Sequence, residues 1–201
     1  MPKTPRHKWS RREGVDLFNT GDASLQRRLG TPPGGARQQQ GRRRRGSDFT
    51  LQLREKQKLK RMYGMRESQF RKFFDMAVGK RGNTGLILLQ LLESRLDNVI
   101  YRLGFARSRL MSRQIVSHGH VLVDGRRVDI PSFLVRPGMA VQLSGSARKS
   151  PMVQEFLEAP AVPTPRWLER TDGGGRVLDQ PSPDDIGQDI DTGLIVAFYS
   201  R

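Results

Sequence analysis

Apolar positions along the chain recur with two periods, and the switch between them falls near residue 120. Upstream the spacing is helical. SDFTLQLREKQKLKRMYG predicts a helix capped by Ser47, Asp48 or Thr50 and stopped at Gly64. In RESQFRKFFDMAVG, Phe70, Phe73, Phe74, Ala77 and Val78 recur at i, i+3, i+4, i+7 and i+8, the mark of an amphipathic helix with those side chains inward. Because the aromatics share that face, they read as core rather than as stacking platforms for bases. A long helix follows, capped by Thr84 and ended by Gly104, with Leu89, Leu92, Leu96, Val99 and Leu103 forming one continuous stripe. Another runs from a Ser108 cap to Gly119, with Leu110, Met111 and Ile115 facing inward.

Downstream the period becomes two. HVLVDGRRVDI holds two strand-like runs around Asp124-Gly125, a hairpin signal, and LVRPGMAVQL repeats the pattern around Pro137-Gly138. From Ser146 to Thr192 the chain turns acidic and rich in Pro and Gly, with one helix in SPMVQEFLEA and loops beyond. There GGG at 173–175 reads as a flexible turn, and Trp167 as a pin holding a loop to the core. The terminal TGLIVAFYSR is apolar and β-branched and predicts a strand that docks back on the body. At the other end, LGTPPGGARQQQGRRRRGS shows no apolar period, so residues 1–47 cannot offset their ordering entropy alone and are expected to order on an anion.

These elements predict an α+β fold. A basic, extended N-terminal arm covers 1–47, and a mostly helical domain covers 48–92, completed by 180–201. A small helix-helix-antiparallel-sheet module covers 93–147, and an acidic, loop-rich extension covers 148–179.

Charge then narrows the function. The 201 residues carry a net charge of +16, with a pI near 11.3 and a mean hydropathy of −0.61. Residues 1–80 hold 21 Lys+Arg against 7 Asp+Glu, and 81–149 hold 11 against 4, whereas 150–201 hold 4 against 9. A polyanionic partner is implied, met by the first two stretches. No cysteine is present, which excludes disulfides, thiolate zinc sites and cysteine nucleophiles. No apolar run approaches the ~20 residues that cross a bilayer, and the N-terminus lacks a signal core, so a cytoplasmic protein without a membrane partner is expected. There is neither a GxxxxGK[ST] loop nor a GxGxxG after a strand, and three histidines are too few for a metal site.

The positive charge is organised in rows. Arg54, Lys56, Lys58, Lys60 and Arg61 line the first helix, and Arg66, Arg71 and Lys72 lie off the apolar face of the second. Arg95, Asn98 and Arg102 follow the leucine stripe one residue out of phase, with Glu93 and Asp97 expected elsewhere and neutralising only part of the row. Arg109 and Arg113 share a face with Ser117. His118 and His120 end that helix, where a structural role and a phosphate contact are equally open. The run Arg42, Arg43, Arg44 and Arg45 fits a solvated linker or a nuclear-import signal, but in so basic a chain an arm that orders against phosphates fits better. Guanidiniums without interleaved acids repel one another unless an external anion is bound. Neither the opened-out aromatics of an RRM nor recognition-helix dimers are present, which favours recognition of a folded RNA by shape.

At these residues a resemblance emerges. LLESRLDNVIYRLGFARSRLMSRQIVSHGHVLVDGRRVDIPSFLVRPGMAV resembles the RNA-binding module of the bacterial small-subunit ribosomal protein S-four family. WSRREGVDLF, QLREKQKLKRMYG, QFRKFFDMA and RGNTG are similar to that family's N-terminal half, and PRWLE and LIVAFYSR to its ending, so nearly the whole chain is covered. Many members bind zinc through four N-terminal cysteines; this sequence has none, so that ligand is not carried over and no cofactor is expected. Residues Gly30 to Gly46 also depart from the family pattern. The resemblance implies a non-enzymatic protein that binds small-subunit ribosomal RNA and nucleates the five-prime domain around a multi-helix junction. It further implies contact with ribosomal protein S-five, a part in decoding accuracy, and a place beside the channel through which messenger RNA (mRNA) enters. With the basic rows it adds Arg11, Arg12, Arg107, Ser108, Gln114 and Arg126 to the candidate RNA contacts named above. Two rivals remain. Pseudouridine synthases carry a similar module and an Arg-Leu-Asp motif, matched here by Arg95-Leu96-Asp97, but no catalytic domain of ~200 residues follows. A stand-alone RNA chaperone would lack the N-terminal half.

Overall fold

The computed structural model describes residues 6–34, 47–158, 163–182, 185 and 190–200. The chain divides into two compact units, one comprising Met1–Met65 with Ile190–Arg201 and the other Arg66–Asp189. In chain order the helices are α1 (Arg6–Glu13), α2 (Ala23–Gln26), α3 (Asp48–Met62), α4 (Glu67–Val78), α5 (Thr84–Glu93), α6 (Leu96–Arg102) and α7 (Arg109–Ser117). Strands β1 (Val121–Val123), β2 (Arg126–Arg127) and β3 (Ala140–Leu143) follow, then α8 (Gly145–Arg148), α9 (Pro151–Glu158), β4 (Leu168–Thr171), β5 (Gly174–Val177) and α10 (Thr192–Tyr199). No helix among the described residues is long and apolar enough to cross a membrane.

In the first unit, residues 6–34 are folded, which corrects the expectation of an arm without structure of its own. Trp9 of α1 stacks on Phe18 at 6.3 Å between centroids, and Leu17, Phe18 and Leu25 are buried. The Asp16 carboxylate accepts from the backbone N–H groups of Phe18, Thr20 and Gly21, and Asp22 caps α2 by accepting from Ser24 N at 2.7 Å. A loop closed by its own side chains has no single period, so pattern alone missed it. The Arg42–Arg45 run lies outside the described residues.

The chain's end also differs from expectation: it is the helix α10, not a strand. Asp191 caps it by accepting from Leu194 N, and it packs along α3 with Phe198 stacked on Phe49 at 5.6 Å. A short apolar β-branched run does not distinguish helix from strand by period.

In the second unit, α4 buries Phe70, Phe73, Phe74 and Ala77, while Val78, its last residue, is exposed. The long helix expected from 84 to 104 is broken. Asn83 rather than Thr84 caps α5, accepting from Leu86 N at 3.2 Å. At the break Ser94 Oγ donates to Gln90 O, and Val135 N donates to Ser94 O at 2.9 Å. Leu96 N donates to Phe133 O at 2.8 Å, and Arg95 and Leu134 form an isolated antiparallel bridge. Residues 131–135 thus satisfy the backbone groups that the break exposes. For the same reason LVRPGMAVQL makes no second hairpin: its first run is used at the break, and only β3 is a strand. The stripe survives, since Leu89, Leu92, Leu96, Val99 and Leu103 are all buried.

Ser108 Oγ accepts from Met111 N to start α7, whose buried residues are Ser112, Ile115 and Val116; Leu110 and Met111 are only half-buried. The β1–β2 turn has Asp124 and Gly125 at φ 48° and 77°, as a tight hairpin of this sequence requires. The sheet order is β2-β1-β3-β5-β4, all antiparallel. β4 and β5 replace the loops expected there, and the glycines read as a flexible turn belong partly to β5. A Cβ on Gly174 would stand 2.7 Å from Val141 O, and one on Gly175 2.5 Å from Leu103 Cδ2, so close packing requires glycine. Trp167 is buried with Leu96, Val99, Ile100, Leu103, Ile115 and Val116 in one core.

Candidate nucleic-acid interface

The sheet and its core hold α6 and α7 together, and their adjoining charged residues converge. Two carboxylates organise them. Glu93 is fully buried, and its carboxylate accepts from Arg102 through Nε at 2.8 Å and Nη2 at 2.9 Å, a bidentate fork. Asn98 Nδ2 donates to Glu93 Oε2 at 2.9 Å, while Asn98 Oδ1 accepts from Arg109 Nε at 2.8 Å. Arg109 Nη2 stands 3.7 Å from Glu93 Oε1, and its guanidinium lies 4.7 Å over the Tyr101 ring. Asp97 is the second centre: Arg95 donates to it through Nε at 3.0 Å and through Nη2, and Arg113 Nη1 lies 3.9 Å away. Burial, partly offset by Asp97, lowers the Arg113 pKa, and the neighbouring charges of Arg95 and Arg66 lower it further.

This geometry corrects the acid-free row. Arg95 and Asn98 are each only 1% exposed, so their side chains present no surface to an RNA. Arg102, Arg109 and Arg113 keep part of theirs, with side chains 24%, 16% and 32% exposed. Glu93 and Asp97 lie among the arginines rather than elsewhere. Four guanidiniums still face two carboxylates, which leaves a surplus of two positive charges. The Arg-Leu-Asp triplet shared with a catalytic motif is a buried ion pair at a helix break.

The second unit also presents exposed Arg66, Arg71, Lys72, Arg107, Gln114, His118 and Arg126, with His120 half-buried and Ser108 used as a helix cap. Arg71 pairs with Asp75 at 3.3 Å on α4, and His118 meets His120 edge-on at 6.1 Å. Sequence reasoning missed the exposed Arg127 and Arg136. It also missed the organising role of Glu93 and Asp97, although they are the only acids between Arg81 and Val123.

The first unit repeats the pattern around Glu13, whose side chain is 4% exposed. Arg61 donates to it at 2.6 Å while lying 5.0 Å over the Trp9 ring, and Arg54 stands 3.9 Å from it. Burial raises the Glu13 pKa more than Arg61, Arg54 and Arg12 lower it, and burial likewise lowers that of Arg61. Lys56 is a correction: it is 4% exposed, with Nζ 4.5 Å over the Phe198 ring of α10, so it belongs to no outer face. Arg12 and Arg54 are exposed; Lys58 and Lys60 are half-buried; Arg11 donates to Thr31 O at 3.0 Å.

The chain matches two known families. Residues 2–93 match the one described as Ribosomal protein S4/S9 N-terminal domain, and residues 94–141 match the S4 domain. The small ribosomal subunit protein uS4 of Persephonella marina is 46% identical over 200 residues, spanning 98% of this chain and 97% of that protein. The protein uS4A of Symbiobacterium thermophilum is 45% identical over 198 residues, with 95% and 94% spanned. The uS4 of Thermus thermophilus is 45% identical over 200 residues, again with 95% and 94% spanned.

Proposed function

Since the chain belongs to the ribosomal protein S4 family, we propose that it is a primary binder of small-subunit ribosomal RNA that nucleates assembly of the five-prime domain and body. It is a structural, non-enzymatic protein of the small subunit of cytoplasmic ribosomes, and it binds ribosomal RNA. The RNA-docking surface is the α6–α7 region with the β1–β2 hairpin. The observation that carries this choice is the cationic surplus around Glu93 and Asp97, with Arg107, Gln114 and Arg126 exposed in the same unit. A partly buried guanidinium is less hydrated and more rigid than one on a solvated tail, so it meets a phosphate at smaller entropic cost. Contact with ribosomal protein S5, a part in decoding accuracy and a place beside the mRNA channel belong to the same proposal, and the family resemblance supports them.

Hydroxyl-radical footprinting of the chain on a five-prime-domain transcript tests the central claim. Protection is expected to concentrate at one multi-helix junction. Absence of any protection in dilute buffer would overturn it.

A further inference from the structure

Beyond the arginines themselves, we infer that Glu93 is a positioning residue for RNA recognition: its buried carboxylate sets the aim of Arg102 and Arg109. The inference deepens the RNA-docking reading above and rests on it. Glu93 closes the end of α5, and its two oxygens fix Arg102 by a bidentate fork. It reaches Arg109 both directly, at 3.7 Å, and through Asn98, which donates to Glu93 and accepts from Arg109. One carboxylate therefore governs guanidiniums on two helices.

Packing alone does not call for such an arrangement. α6 and α7 already share the apolar core of Leu96, Val99, Ile100, Ile115 and Val116. A buried ion cluster adds little to stability over an apolar one of the same volume, because desolvation offsets its attraction. What it does add is direction. Without the anion, the surplus charge would drive Arg102 and Arg109 apart and outward, each sampling many rotamers. With it, two planar forks with partly exposed heads are held before the RNA arrives, the condition for shape-specific contact with phosphates.

The test uses the full-length chain with two RNAs, a five-prime-domain transcript and poly-uridine, titrated at several salt concentrations. Glu93→Gln should bind the transcript about tenfold more weakly. Its salt slope should not fall, and its affinity for poly-uridine should hold or rise, since net charge has increased. A carboxylate that merely stabilised the fold would weaken both RNAs alike. The triple variant Glu93→Gln/Arg102→Gln/Arg109→Gln should bind the transcript no worse than Arg102→Gln/Arg109→Gln, because the carboxylate acts through those two arginines. Additive losses, or a folded Glu93→Gln with wild-type affinity, would overturn the inference. Should Glu93→Gln not fold, Arg109→Lys, which keeps the charge and loses the fork, should show the same tenfold loss; wild-type affinity there would overturn it too. A wild-type chain that did not prefer the transcript to poly-uridine would instead bring down the RNA-docking reading itself.

Discussion

Arg95 is where charge and burial conflict most sharply. Its guanidinium is sealed between Asp97 and the Phe73 ring, 5.5 Å away, and its Nη1 has no hydrogen-bond partner among the described residues. A buried pair of this kind resists the loss of one partner far more than replacement by apolar volume. Asp97→Asn and Arg95→Met each remove one partner and should each cost about 3–5 kcal/mol in urea unfolding, whereas the double variant Arg95→Met/Asp97→Leu should be neutral or stabilising by about 1–4 kcal/mol. A double variant that lost as much as either single one would show that the pair is not desolvated as described. At this scale the sequence misled for a geometric reason. Arg95, Asn98 and Arg102 fall in a row only if one helix runs through Ser94, and the break moves Arg95 into a bridge with Leu134. Lys56 misled differently: its helical position is cationic and outward until α10, more than 130 residues along the chain, covers it. Neither effect is local, so no local pattern carries it.

Among the elements, those with a strong period were legible: α3, α4, α7 and the β1–β2 hairpin stand where the spacing placed them. The β4–β5 hairpin did not announce itself, because β5 opens on two glycines and β4 carries one apolar residue, Leu168, so neither alternates. Gly174 and Gly175 look like loop residues until β3 and α6 are brought against them; then the absence of a side chain is what allows contact. Gly175→Ala would put a Cβ 2.5 Å from Leu103 Cδ2 in the core and 2.7 Å from the β4 backbone at Glu169 O. Thermal and urea unfolding should show a loss of about 1–3 kcal/mol, the usual range for overpacking. Gly145→Ala is the control: its Cβ meets nothing within 4 Å, so the change should stay within about 0.5 kcal/mol. If the two variants melted alike, the close approach of β5 to the core would be wrong. The helix at the chain's end belongs to the same lesson, since LIVAF satisfies either period and packing on α3 decides between them.

For the whole molecule, the net charge of +16 overstates what an RNA can meet. Each unit uses a buried carboxylate, Glu13 in one and Glu93 in the other, to hold guanidiniums inward, and Lys56 and Arg95 are buried outright. Residues 150–201 add five net negative charges of their own. The charge that releases counterions is the exposed remainder, and salt dependence measures it, because log K falls with log salt concentration with a slope of about 0.7–0.9 for each phosphate neutralised. Arg107 and Arg126 are exposed and make no ion pair among the described residues, so replacing both with alanine should flatten the slope by about 1.4–1.8. Arg12→Ala in the first unit should remove about 0.7–0.9 more if that unit meets the same RNA. Arg95→Met removes a full charge from the composition and should leave the slope where it was. A slope that fell equally for Arg95 and for Arg107 would mean that net charge alone governs binding, and the distinction between buried and presented arginines would have no functional weight.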